Sequence, residues 1–136
     1  MDTSEFFNTV VKRNYQKFTS NPDDFRLLWN AIISMNSVPE YMALDQHGYA
    51  EVSREALAAT ANQIRNTDQS LKDVKFCAEA LKHVRKIPPE NKQGSITITV
   101  SSTTVSPISR STWTIGPHDL TDVAHRAFRA LDALVP

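Results

Sequence analysis

The 136-residue chain has one cysteine, three glycines and no net charge, with fifteen Lys+Arg balancing fifteen Asp+Glu. Each shortage excludes something. A lone thiol, Cys77, allows neither an internal disulfide nor a cysteine zinc cluster, which suits a reducing compartment. Three glycines leave no glycine-rich phosphate loop. Charge neutrality removes any global field for polyanions, so a nucleic-acid role must rest on a local patch. No apolar run approaches the roughly 18 residues of a membrane span. The start, "MDTSEFF", lacks the basic and apolar regions of a signal peptide. Motif patterns such as HExxH, CxxC and GxSxG are missing as well. The expectation is a cytoplasmic protein of one domain, residues 1–136, with no cofactor, metal or membrane contact.

Helical periodicity dominates the first two-thirds of the chain. A first helix is expected over 3–18, with Phe7, Val10, Val11, Tyr15 and Phe18 on one side. "SNPDDF" reads as the start of a second, with Asn21 as cap and Pro22 at the first helical position. That helix is apolar around most of its circumference, so it should be buried on most sides. Pro39 predicts a kink or break near Ser37. Asn30, Ser34, Ser37 and Tyr41 form a polar strip on it, either a buried seam or the wall of a pocket. A third helix is expected from Ser53 to Arg65. A fourth should start with Ser70 as cap and stop before Pro88–Pro89.

Period two takes over at "GSITITVSS" and "RSTWTIG", the signature of two half-buried strands. The intervening "STTVSPIS" predicts a wide loop or an extra strand. Such a hairpin is marginal alone, so Trp113 should pack on the helices or on a second copy. The last helix follows, capped by Gly116 or Asp119, with an Asp122–Arg126 pair in the favoured order. The fold expected is mainly α: an antiparallel bundle of four to five helices with a β-hairpin inserted at about 94–116.

The segment "KFCAEALKHVRKI" carries the functional question. On a wheel of residues 71–87, Leu71, Val74, Cys77, Ala78, Leu81 and Val84 share one arc, which Phe76, Ala80 and Ile87 are expected to widen. Lys72, Lys75, Glu79, Lys82 and Lys86 share the other, with His83 at the boundary. The plainest reading is a core helix with a solvated basic edge. The functional reading is a nucleic-acid surface of Lys72, Lys75, Lys82, His83 and Lys86; without an exposed aromatic nearby, single-strand stacking is disfavoured. Asp73 and Arg85 project into the apolar arc, and Arg85 is expected to snorkel or to meet Glu40. Cys77 is expected to be an inert core thiol.

This helix, with its Lys82–His83 pair, resembles bacterial helical-bundle families described as HEPN-like, loosely over residues 25–87. The resemblance implies RNA cleavage or RNA binding and dimerisation through the bundle. The family's ribonuclease motif, an arginine followed four to six residues later by histidine on one helix, is absent. Arg110 and His118 lie too far apart. The β segment is a further departure.

Three readings follow. The first is a non-enzymatic cytoplasmic protein working through protein or RNA contacts. The second is a divergent nuclease using His83 with Glu40 or Tyr41 near Pro39. The third is a homodimeric scaffold or antitoxin-like protein contacting its partner through the Trp113 strand face.

Overall fold

Short polar side chains set the helix starts. Asp2 accepts from the Glu5 amide and opens the first rod, α1, which spans residues 3–20. Its second turn widens into a π turn at Phe7–Val11. There the side chains of Asn8 and Thr9 donate to the carbonyls of Ser4 and Glu5, the oxygens that regular i→i−4 bonds would engage. The rod nevertheless continues, burying Phe7, Val11 and Phe18.

Helix α2 runs Phe25–Gln46. Its cap is Asp24, not Asn21. Asn21 instead closes the previous helix: its side-chain Nδ2 donates to Lys17 O, and its backbone carbonyl accepts from Asp24 N. Pro22 therefore sits in the turn between helices, where its fixed φ is equally at home. Pro39 does not break α2, which is helical throughout and buries the ring. Packing on several sides outweighs the loss of one backbone bond. Leu28, Ile32, Met35 and Val38 are fully covered, as expected of a helix apolar all round.

Helix α3 (Arg54–Arg65) is capped by Ser53. Helix α4 (Gln69–His83) follows, and its first turn is held by Asp68, which accepts from both the amide and the hydroxyl of Ser70. Ser70 is thus the capped residue, not the cap. The structure, a computed structural model, describes residues 1–49, 51–83, 98–105 and 108–136. Val84, Arg85, Lys86, Ile87, the Pro88–Pro89 stop and Ile96 lie outside these.

Strands β1 (Ile98–Val105) and β2 (Ile108–Ile115) pair antiparallel, from Ile98↔Ile115 to Val105↔Ile108. Pairing thus runs through most of the segment expected to be a wide loop, because the β-branched Thr103, Thr104 and Val105 favour strand; residues 106–107 lie outside the described residues. A two-residue strand β3 (His118–Asp119) folds back on β2. Gly116 starts that turn at φ 56°, and Pro117 follows with its φ fixed negative. This sign order is that of a type II′ hairpin turn. The turn delivers Asp119 to cap α5 (Leu120–Leu134), accepting from the amides of Thr121 and Asp122.

Among the described residues the result is a five-helix, mainly α fold with an antiparallel hairpin before the last helix, and α2 packs against each of the other four helices. Trp113 is 5% exposed and tilts against Phe25 at 5.4 Å, while Ile115 is fully buried. This end of β2 is covered by the chain's own helices. Among the described residues no helix is long and apolar enough to cross a membrane.

Candidate functional site

Helix α4 is wet along one edge, and the heptad spacing explains which residues share it. Leu71, Val74, Cys77, Ala78, Ala80 and Leu81 are buried. Lys72, Glu79, Lys82 and His83 are exposed, and Lys75 is half-buried. Lys86 lies outside the described residues. Phe76 corrects the sequence reading: it is 43% exposed rather than part of the apolar arc. Residue type suggested the core, but Phe76 is four residues after Lys72 and seven before His83. That spacing places it on the same face as both. Strand β3 brings His118 beside it, ring centroids 5.4 Å apart and tilted by 54°. The basic edge therefore contains an aromatic platform.

A second assembly sits where α2, α3 and α4 meet. Arg65, in the last turn of α3, is buried. Its Nη2 donates to Glu40 Oε1 at 2.6 Å and to the Asn36 carbonyl at 3.2 Å. Its Nη1 donates to Asn62 Oδ1 at 3.2 Å. Lys75 Nζ donates to that same Asn62 oxygen, also at 3.2 Å. Glu40, Asn62, Arg65 and Lys75 line a groove of about 400 Å³, with Leu44, Leu57 and Ala58 as apolar wall and Arg54 and Glu79 at its sides. Sequence reasoning missed Arg65 because helix-end arginines usually face water. The only hint was its place on the Leu57–Ala61–Ile64 side of α3. Glu40, the acid expected to meet Arg85, is engaged by Arg65, and Arg85 lies outside the described residues.

Of the three catalytic candidates, Glu40 and Tyr41 are turned apart. Glu40 reaches toward α3, whereas Tyr41 turns to α1 and stacks on Phe6, centroids 4.2 Å apart. His83 is exposed at the far end of α4. The polar strip on α2 dissolves in the same way. Asn30 is exposed, Ser34 donates to the Ala31 carbonyl, and Ser37 donates to the Ile33 carbonyl. Each serine hydroxyl is satisfied by its own helix, so neither a seam nor a polar pocket results.

Other polar groups have structural partners. Asp73, buried in the apolar arc, accepts from Gln69 and pairs with Arg126, which Asp122 also holds. That pairing keeps the Arg126 guanidinium firmly protonated, Asp122 contributing most. His125 meets the Tyr15 hydroxyl at 2.6 Å through Nδ1. His47 meets Thr60 at 3.0 Å. Burial, with the Asp73 carboxylate nearby, pushes the Cys77 thiol up to about 12, far from the range of a nucleophile. Among the described residues no three His, Cys, Asp or Glu side chains group as metal ligands.

The chain matches no family model, no curated protein and no solved structure.

Proposed function

We propose that this is a non-enzymatic cytoplasmic protein that binds single-stranded RNA along the wet edge of α4. The observation that carries the reading is Phe76, exposed between Lys72 and His83 with the His118 ring beside it. An aromatic face stacks any base without sequence preference, and lysines alongside hold the phosphates. Lys72 and Lys82 are exposed, and Lys75 is half-exposed at the groove. Glu79 stands among them and offsets part of their field. The binding is therefore modest and strongly salt-sensitive. The divergence of Glu40 from Tyr41, and the missing arginine–histidine motif, favour binding over cleavage.

The test is fluorescence anisotropy with a labelled oligouridylate at low salt. Phe76→Ala should weaken binding about tenfold, the loss of one stacked base, and leave the salt dependence unchanged. Replacing Lys72, Lys75 and Lys82 together by Gln should flatten the log–log salt slope by about 2. Wild-type protein that fails to retain the oligonucleotide, or retains it with the same salt slope as the triple variant, defeats the reading.

A further inference from the structure

The groove between α2, α3 and α4 has a charge arrangement that its own residues leave incomplete. Asn62 Oδ1, a neutral amide oxygen, accepts from two cations at once, Arg65 Nη1 and Lys75 Nζ, each at 3.2 Å. The two donors are thus drawn to one point in the groove wall. Arg65 is further under-satisfied: among the described residues its buried Nε finds no acceptor, and the buried Asn36 Oδ1 on the facing helix finds no donor. Arg54 adds a third cation to the lining, against the carboxylates of Glu40 and Glu79. Among the described residues of the lining, one positive charge is left over. Glu40 is committed to Arg65, so the surplus falls on the Arg54–Lys75 side.

We infer that this groove binds a small amphipathic monocarboxylate. Its carboxylate would lie between Arg54 and Lys75 beside the Asn62 amide, and its hydrocarbon part would lie along Leu44 and Leu57. A carboxylate adds a net ion-pair attraction that a neutral amide oxygen does not supply, so the ligand improves on the acceptor already present. A volume of about 400 Å³ lies within the range of small-molecule pockets. A long polyanion fits less well, since Glu40 and Glu79 flank the same space and would repel a second phosphate. The inference stands apart from the RNA-binding edge: only Lys75 and Glu79 belong to both.

The experiment is a titration of the isotopically labelled full chain, followed through amide resonances, with octanoate, octanamide and octylamine. Octanoate should shift the amides of Leu57, Ala58 and Asn62 saturably. Octanamide should bind about tenfold more weakly, which corresponds to about 1.4 kcal/mol, and octylamine should produce no saturable shift. Arg54→Gln should weaken octanoate about tenfold while leaving oligouridylate retention as in the wild type, which separates the two sites. Leu57→Gln should weaken octanoate too, with the Arg65 side-chain resonances still dispersed as evidence of an intact groove. Absence of a saturable shift up to about 10 mM octanoate, equal responses to the acid and the amide, or an unaffected Arg54→Gln variant would each overturn the inference.

Discussion

Arg65 and Glu40 meet at 2.6 Å across two helices, yet their environments are opposite: one side chain is 5% exposed and the other 53%. The pair is therefore unequal. Removing Arg65 strips the Asn36 carbonyl and Asn62 of a donor and leaves a hole beneath α3. Removing the Glu40 charge leaves Arg65 with both those acceptors, and water screens much of what is lost. Arg65→Met should cost about 3 kcal/mol and Glu40→Gln no more than about 1 kcal/mol. Urea midpoints of the two variants check the order. Equal costs would mean that the ion pair, rather than the buried guanidinium, holds α3 to α2.

Tyr15 links α1 to α5 by two different forces. Its ring stacks on Phe128 with centroids 4.0 Å apart, and its hydroxyl bonds His125 Nδ1 at 2.6 Å. Burial raises the phenol's pKa above its ordinary value, with Arg129 opposing, so the hydroxyl is neutral across the physiological range. Tyr15→Phe keeps the stack and loses the bond, at a cost of about 1 kcal/mol. Tyr15→Ala loses both, with a cost of about 3 kcal/mol. A double-mutant cycle of Tyr15→Phe with His125→Ala should return most of the smaller figure as coupling, since the two groups share that one bond.

What could be read from the sequence and what could not follow one division. Burial pattern was legible: the apolar arc of α4, the all-round apolarity of α2 and the inward Trp113 follow from periodicity, which needs no partner to be known. Partner identity was not. Glu40, Asp73, Tyr15 and Asn62 each reach another element, and nothing local to an element says which residue will face it. Capping lay between these cases. Ser53 is legible as a helix start and Asp119 as one of two candidate caps beside Gly116, but Asn21 and Ser70 lie within a few residues of Asp24 and Asp68, which do the capping. Phe76 was misplaced because chemical type was weighed above angular position, an error the heptad relation to His83 exposes.

Cys77 offers a direct report on opening of the core. It is fully buried, and its thiol is pushed up to about 12, so thiolate is scarce at neutral pH even if reagent arrives. Reaction with a thiol reagent such as Ellman's should be slow in the native protein and rise with urea along the unfolding curve. The reactivity midpoint should coincide with the far-ultraviolet circular dichroism midpoint. Fast labelling without denaturant would mean that α4 separates locally from the core.

The start of the chain is fastened to the end of α2 by one carboxylate, and this fastening makes stability depend on pH in a definite direction. Asp45 Oδ2 accepts from the amide of Thr3 at 3.1 Å and from its hydroxyl, and Oδ1 accepts from the Tyr49 hydroxyl. Tyr49 provides this bond from a left-handed backbone, φ 58°, which costs a non-glycine residue on the order of 1 kcal/mol. The hydrogen bonds from Thr3 and then Tyr49 hold the Asp45 carboxyl below its ordinary 3.8. A depressed folded value means that the contribution is complete above the unfolded value and is lost as pH falls through the folded one. The Tyr49 phenol is shifted the opposite way, up to about 12, chiefly by its bond to Asp45. Its contribution is complete below the ordinary value near 10 and disappears as pH rises toward 12. Asp45→Asn should therefore lower the thermal midpoint at pH 7, and the gap from wild type should close below about pH 4. Asp68, held low by Ser70, continues to titrate in both proteins, so some acid dependence persists in the variant. Tyr49→Phe should flatten the alkaline limb between about pH 10 and 12 while leaving most of the acid limb in place, because the two bonds from Thr3 remain. A gap between Asp45→Asn and wild type that widens as the solution is acidified would reverse the sign and show that the carboxylate opposes the fastening.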